Sequence, residues 1–383
     1  MAQHTYQMRS VLLWRYIIMI RPQPFLNPSQ SSCCFKALPA SQELDCADFK
    51  HSFALCARTR KHFTNPHSGF TLIELMIALA LGLLIVAAAI AIFLSSQRSL
   101  SLQAGMGEVQ ENANFGLAQV AYDLRHANLN TVSNQFIDPY SNGSGIIFTA
   151  SNIPNTITTG FNATEYVTQQ DKDEDNGDKN SDRLTIQYVP VTDSIYNCEG
   201  EEITEASSKV IVQRYYLAKN QKQVEGEPVA YSLMCDAGWY SLSNPAEIKG
   251  LGGNAQQIMQ RVDAFKVRVS TKLPNNTRRY IGLEDYVKEQ KTIKDTCATT
   301  TPVTSIDECM KKYWKVIAVE VGILARSTGS IGSNSALNTG TEFNLAGTKI
   351  TLDGANGKDM LNQKYLRQAV NQVVAFRNTL GAQ

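Results

Sequence analysis

The chain has 383 residues, enough for a sizeable core in one to three domains, and its formal net charge is only +1. Its 43% hydrophobic and 19% charged residues show no concentrated basic face, which excludes a dedicated nucleic-acid binder. The near-neutral total hides an asymmetry: residues 1–69 hold eight Lys/Arg and three Asp/Glu, leaving 28 and 32 for residues 70–383, a net of about −4.

Residues 1–69 read as a basic leader. They mix Trp14, the pair Cys33-Cys34 and several prolines, and "VLLWRYIIMI" is too short to span a bilayer. No helix or strand period persists there. From Phe70 to Leu94 follow 25 residues in which only Thr71 and Glu74 are clearly polar. At about 1.5 Å per residue this run is long enough to cross a hydrocarbon core of about 30 Å. Arg58, Arg60 and Lys61 lie just upstream, so the positive-inside rule places the leader in the cytoplasm and the body across the membrane.

The helix is expected to continue. Leu102, Met106, Val109, Ala113, Leu117, Val120, Leu124 and Ala127 recur at intervals of three and four, the apolar stripe of an amphipathic helix. Gln103, Glu108, Gln110, Glu111, Asn112 and Arg125 occupy the other face. Gly105 and Gly107 weaken the helix locally by up to about 1 kcal/mol each, so a bend is expected there if anywhere. The chain therefore divides into a leader (1–69), a membrane half of the helix (70–94), an amphipathic half (95–130) and a β-rich body (131–383).

In the body, strands are predicted at 144–150, 183–192, 209–218, 228–235, 258–271, 313–327 and 342–352. Residues 362–380 fit either a helix or a final strand. A long helix followed by antiparallel strands gives an α+β fold. Cys33, Cys34, Cys46 and Cys56 precede the apolar run, and Cys198, Cys235, Cys297 and Cys309 follow it. Four late cysteines without a CxxC pair read as disulfides of an oxidising compartment. Three pairings are open; Cys198–Cys235 with Cys297–Cys309 is favoured because each closes a local loop.

The head of the apolar run carries the most specific signal. "GFTLIELMIALALGLL" resembles the class III signal of type IV pilins and pseudopilins through Gly69, Phe70, Thr71, Leu72, Ile73, Glu74 and Leu75. The resemblance implies that a membrane-embedded prepilin peptidase cuts between Gly69 and Phe70 and methylates the new amine of Phe70. It also gives Glu74 a role. A carboxylate in a membrane helix costs roughly 2.5–3.5 kcal/mol on insertion scales, and the Phe70 ammonium of an adjacent subunit would offset that while fixing axial register. An incidental interfacial charge is the rival reading of Glu74. A secretory signal peptide cut at Ala87-Ala88-Ala89 is the rival reading of the run, although its apolar region should be 7–15 residues. Leaders in this family are usually shorter, so the translated start is expected downstream near Leu55, leaving "LCARTRKHFTNPHSG".

Within the body, "SDRLTIQY" (181–188), "VDAFKVRV" (262–269), "VIAVEVGILARS" (316–327) and "YLRQAVNQVVAFRN" (365–378) resemble PilW-type minor pilins, akin to the J-type minor pseudopilins of type II secretion. This resemblance implies a minor pilin of the bacterial inner membrane and then of the pilus. Its partners would be the prepilin peptidase, other minor pilins, the major pilin, the inner-membrane assembly platform and the lipid bilayer. A type II secretion pseudopilin and a single-pass periplasmic binding protein that never polymerises are the alternatives.

Other chemistry is sparse. In "DKDEDNGDKNSD", Asp171, Asp173, Asp175 and Asp182 fall at positions 1, 3, 5 and 12 of a calcium loop. Position 6 is Asn176 rather than glycine, so a solvated acidic turn is the competing reading, and no other cofactor is expected. After Phe70 only His126 remains among the histidines, and it falls on the predicted long helix, which argues against a Ser-His-Asp triad and leaves no multi-histidine zinc site. No GxxxxGK[ST] loop is present, so the chain is not the assembly motor, and no enzymatic role is expected. Trp239-Tyr240 reads as core before contact surface.

Overall fold

The computed structural model describes residues 69–131, 136–170, 181–224, 229–299, 306–330, 342–351 and 365–378. Residues 1–68 of the leader, the first three aspartates of the acidic turn, and parts of the predicted strand at 342–352 and of the ambiguous segment 362–380 therefore lie outside the described residues. Residues 72–383 form one unit, distinct from residues 1–71.

Helix α1 runs unbroken over Leu72–His126, 55 residues, through both Gly105 and Gly107. At about 1.5 Å per residue it is some 82 Å long. Its side chains are exposed on every face as far as Ser101. From Val109 onward one face is buried, through Ala113, Leu117, Val120 and Leu124, with Ala127 just beyond. Of the predicted stripe, Leu102 is half-buried and Met106 is 46% exposed, so packing begins about two turns later than the apolar period. Periodicity marks a face able to pack; only the position of the body decides where packing starts.

In chain order the strands are β1 (Leu184–Tyr188), β2 (Ser194–Tyr196), β3 (Glu202–Thr204), β4 (Lys209–Lys219), β5 (Tyr231–Ser241), β6 (Gln256–Gln260), β7 (Val262–Lys272) and β8 (Arg278–Gly282). After helices α2 (Leu283–Thr299) and α3 (Ile306–Lys312) come β9 (Lys315–Ser330), β10 (Glu342–Leu345), β11 (Thr348–Thr351) and β12 (Tyr365–Ala375). One sheet has the order β1-β4-β5-β6, the other β12-β9-β7-β8, and two hairpins pair β2 with β3 and β10 with β11. Every ladder is antiparallel. This is the expected α+β architecture. Helix α1 packs on β6, β9 and β12. At Gly116 the backbone comes so close to Met259 of β6 that a Cβ would sit 2.8 Å from its Sδ, so any larger residue there would push the Met259 side chain aside.

Several expectations are corrected. The run 258–271 is two strands: Arg261, at φ 56°, breaks it, sending β6 to the first sheet and β7 to the second. A long polar residue is not a turn signal, so the left-handed kink was invisible. Residues 144–150 are not a strand. Ile146 makes one isolated bridge to Ile186, and the segment then enters a short 3₁₀ turn at Ala150–Asn152. The run 342–352 folds back as a hairpin over Ala346 and Gly347, both at positive φ, the geometry a two-residue hairpin loop needs. The ambiguous 362–380 segment supplies β12, paired with β9. Helices α2 and α3 were not predicted. The inward face of α2 is Leu283, Tyr286, Gln290 and Cys297, too mixed to give an apolar stripe. It is latched instead by polar contacts: the Tyr286 hydroxyl donates to the Trp314 carbonyl (2.9 Å), and the Trp314 N–H donates to Gln290 Oε1 (3.1 Å).

The end of α1 is held by the chain's C-terminal segment. The amide of Asn378 donates to the carbonyls of Arg125 (3.2 Å) and Ala127 (3.1 Å), acceptors a helix terminus leaves without intrahelical donors. Two disulfides join Cys198 to Cys235 and Cys297 to Cys309, with Cα atoms 6.1 and 5.9 Å apart. The second ties α2 to α3 over a 12-residue separation, which on chain-entropy grounds contributes about 3 kcal/mol. The double variant Cys297→Ala/Cys309→Ala is therefore expected to lose about that much in a denaturant titration; an unchanged midpoint would show that the helices hold without the bond.

Candidate assembly site at the head of the long helix

Three residues carry the site, and each is placed by local sequence. Gly69 leaves the acyl side of the Gly69–Phe70 bond without a side chain, and the Phe70 ring is 90% exposed. Helix α1 begins two residues after Phe70, and Glu74 is the acidic residue of its first turn. A helix start carries partial positive charge on its open N–H groups, so a carboxylate there gains about 0.3–1 kcal/mol. Beyond it the exposed face is wholly apolar: Leu75, Met76, Ile77, Leu79, Leu81, Leu83, Leu84 and Ile85. Among the described residues α1 is the one helix long and apolar enough to cross a membrane, and none of its apolar window is buried. One carboxylate thus stands at the head of a surface that water does not favour.

The other predicted positions separate from this site. Asp171, Asp173 and Asp175 lie outside the described residues. Asp182, the fourth member of the calcium reading, is buried: its Oδ1 accepts from Lys266 Nζ at 3.1 Å and its Oδ2 from the Val267 N–H at 2.8 Å. Its oxygens serve the β7 strand, which is a physical reason for an aspartate there other than cation binding. Among the described residues no three His, Cys, Asp or Glu side chains cluster. His126 sits in the last turn of α1 with Nδ1 3.0 Å from the Tyr122 carbonyl oxygen and its ring beside Tyr188. Tyr240 is core, its hydroxyl donating to Gln187 Oε1 at 2.8 Å; Trp239 is half-buried beneath the ammonium of Lys209.

Two family models match the chain. Residues 64–90 match the prokaryotic N-terminal methylation motif, and residues 214–378 match the type IV pilus-assembly protein W family. The chain is a type IV pilin-like protein of the PilW type. The methylation match brackets Gly69, Phe70 and Glu74; the PilW match runs from within β4 to just past β12, covering the second sheet and, of the first, β5, β6 and the later part of β4. "SDRLTIQY" lies ahead of that span. Among solved structures, a type IV-like pilin TTHA1219 from Thermus thermophilus is similar at 12% identity, over 70% of this chain and 97% of that one, with a TM-score of 0.28. That likeness is too loose to transfer any detail. No curated protein shows significant similarity.

Sequence reading missed the charged residues that tie this PilW-type domain together. Asp263 of β7 sits between Arg326 of β9 (3.0 Å) and Arg367 of β12 (2.7 Å), all three side chains at 5% exposure or less. Arg214 of β4 pairs with Asp236 of β5 at 2.9 Å and lies over the rings of Tyr166 and Tyr216. Asp123 fixes α1 to the first sheet, accepting from the Tyr215 hydroxyl at 2.5 Å and from Gln119 at 3.3 Å. These partners are up to 104 residues apart and leave no local period to read.

Burial holds the Asp123 carboxyl above its ordinary value of 3.8, against the pull of Tyr215, Gln119 and His126. A carboxyl raised on folding stabilises most below its unfolded pKa, and that contribution is lost as pH rises through the folded value. Asn at this position accepts the same hydroxyl without the ionisation cost. Asp123→Asn is therefore expected to gain stability relative to the parent chain as pH rises from acid to neutral, read from melting temperatures across that range. A difference independent of pH would contradict the assignment.

Proposed function

We propose that the chain is a minor pilin that joins a priming or tip complex of a type IV pilus, supporting twitching, adhesion or DNA uptake indirectly through assembly. In this reading the apolar half of α1 holds the precursor in the inner membrane with its body in the periplasm. A prepilin peptidase cuts between Gly69 and Phe70, and Phe70 is N-methylated. The mature chain then leaves the bilayer and packs its helix among those of other pilins through the assembly platform. It acts as a structural subunit and catalyses nothing.

The observation that carries the reading is one continuous helix with two characters. Its head bears the methylation motif and an unburied apolar surface, and its tail is packed onto a PilW-type domain. Such a helix needs apolar neighbours along its first half, which a bilayer and a filament core both supply. A type II secretion pseudopilin shares every N-terminal feature and is the second reading. Proteomics of sheared filaments separates them. The chain is expected among sheared pili, with piliation lost on its deletion; a secretion defect with pili intact would favour the pseudopilus, and absence from any filament would favour a non-polymerising anchor.

A further inference from the structure

The outer end of the second sheet gathers four cations. Lys272 of β7 stands directly opposite Arg278 of β8 on one side and Lys315 of β9 on the other. Like charges in direct cross-strand register destabilise a sheet. Arg279 follows on the edge strand β8, so four cations meet over three strands. Three of them, Lys272, Arg278 and Arg279, line a cleft of about 390 Å³ together with Tyr280, Ile317, Phe376 and the small side chains Ser270, Ala318 and Ala375, which are aligned across β7, β9 and β12. Among the described residues no carboxylate lines that cleft. Among the described residues none pairs with these four, and the nearby Glu320 is taken by Arg268 at 2.6 Å.

The cationic heads are held in place. Arg279 lies over the Trp314 ring at 4.9 Å and Lys315 over Phe136 at 3.5 Å, while Arg268 covers Tyr280 at 4.5 Å. The three nearby rings thus already carry a cation of this chain on one face, which disfavours base stacking and so a nucleic-acid strand. Burial, followed by the charge of Lys272, lowers Lys315 below the usual lysine range, a sign that the repulsion is felt. The body as a whole is the opposite sign, at about −4 for residues 70–383, so the cleft is a local exception on an acidic protein.

We propose that this cleft receives an acidic segment of a neighbouring filament subunit, its closely spaced carboxylates bridging Lys272, Arg278 and Arg279. The proposal rests on the minor-pilin reading. Complementary charge of this kind sets partner choice and register more than raw affinity, which suits a subunit that must occupy one place in a complex.

The test titrates the full chain in detergent with a short poly-L-glutamate peptide and, separately, with a single-stranded oligonucleotide of equal charge. The peptide is expected to bind, with affinity falling at least about tenfold, or 1.4 kcal/mol, in Lys272→Glu/Arg278→Glu. The milder Arg278→Ala should weaken binding by less, and it keeps the test open if the double reversal fails to fold. Peptide binding that is absent, or unchanged in both variants, would overturn the proposal; tighter binding of the oligonucleotide would overturn it in favour of a phosphodiester ligand. Sheared filaments tell the two levels apart. Parent chain and Lys272→Glu/Arg278→Glu recovered equally would sink the cleft proposal alone, whereas a parent chain missing from filaments would sink the pilin reading beneath it.

Discussion

Asp263→Ala is expected to cost about 3–5 kcal/mol, the largest loss of stability from any single change in the domain. The substitution would leave the guanidinium groups of Arg326 and Arg367 buried, facing the same vacated place, with the carboxylate between them removed. Burial already lowers Arg326 from its ordinary value, and Arg367 acts in the same direction, so the loss of Asp263 compounds an existing strain on the charged form. The three strands involved, β7, β9 and β12, are neighbours in the second sheet, and two of them, β9 and β12, pack against α1. Replacing all three charged residues together by apolar side chains of similar volume is expected to be far milder, because no charge is then stranded. Chemical denaturation of the three chains in one detergent measures this. A loss below about 1 kcal/mol for Asp263→Ala would mean that water reaches the triad.

Glu74→Ala is the second large effect, and it falls on assembly rather than on folding. Glu74 is exposed in the first turn of α1, well away from the buried face that starts at Val109, so the domain should melt as before. Processing should also survive, because the Gly69–Phe70 bond is unchanged. In the proposed filament, the change would remove the counter-charge for the Phe70 ammonium of an adjacent subunit within an apolar bundle. An unpaired charge there costs several kcal/mol, so incorporation into filaments should fall by well over tenfold. Glu74→Gln should behave like the alanine variant, since it keeps the shape without the charge. Incorporation of both variants at the parental level would show that register is set elsewhere.

How much of this was legible depended on whether the information was contiguous. "GFTLIELM" could be read because motif, helix start and carboxylate fall within a few residues of one another. The stripe from Val109 to Ala127 could be read because a helix repeats its face every three or four residues. Where that face begins to pack could not, since Leu102 and Met106 continue the period beyond the edge of the body. The kink at Arg261 gave no warning, because nothing in an arginine announces positive φ. Helix α2 stayed hidden behind Gln290 and Cys297, which make its inner face polar by composition although it is buried in place. The Asp263–Arg326–Arg367 group was unreadable in principle from local pattern: strand pairing across a hundred residues brings it together. The head of the helix was therefore accessible from sequence, and the ion pairs and the cationic cleft of the domain needed the fold.

The central claim is that residues up to Gly69 are removed and that Phe70 becomes the first residue of an assembling subunit. Intact-mass and N-terminal analysis of the chain recovered from sheared filaments tests it directly. The expected mature chain begins at Phe70 and is heavier by one methyl group on its amine. A start near Ile90, or a chain still carrying its leader within the filament, would contradict it.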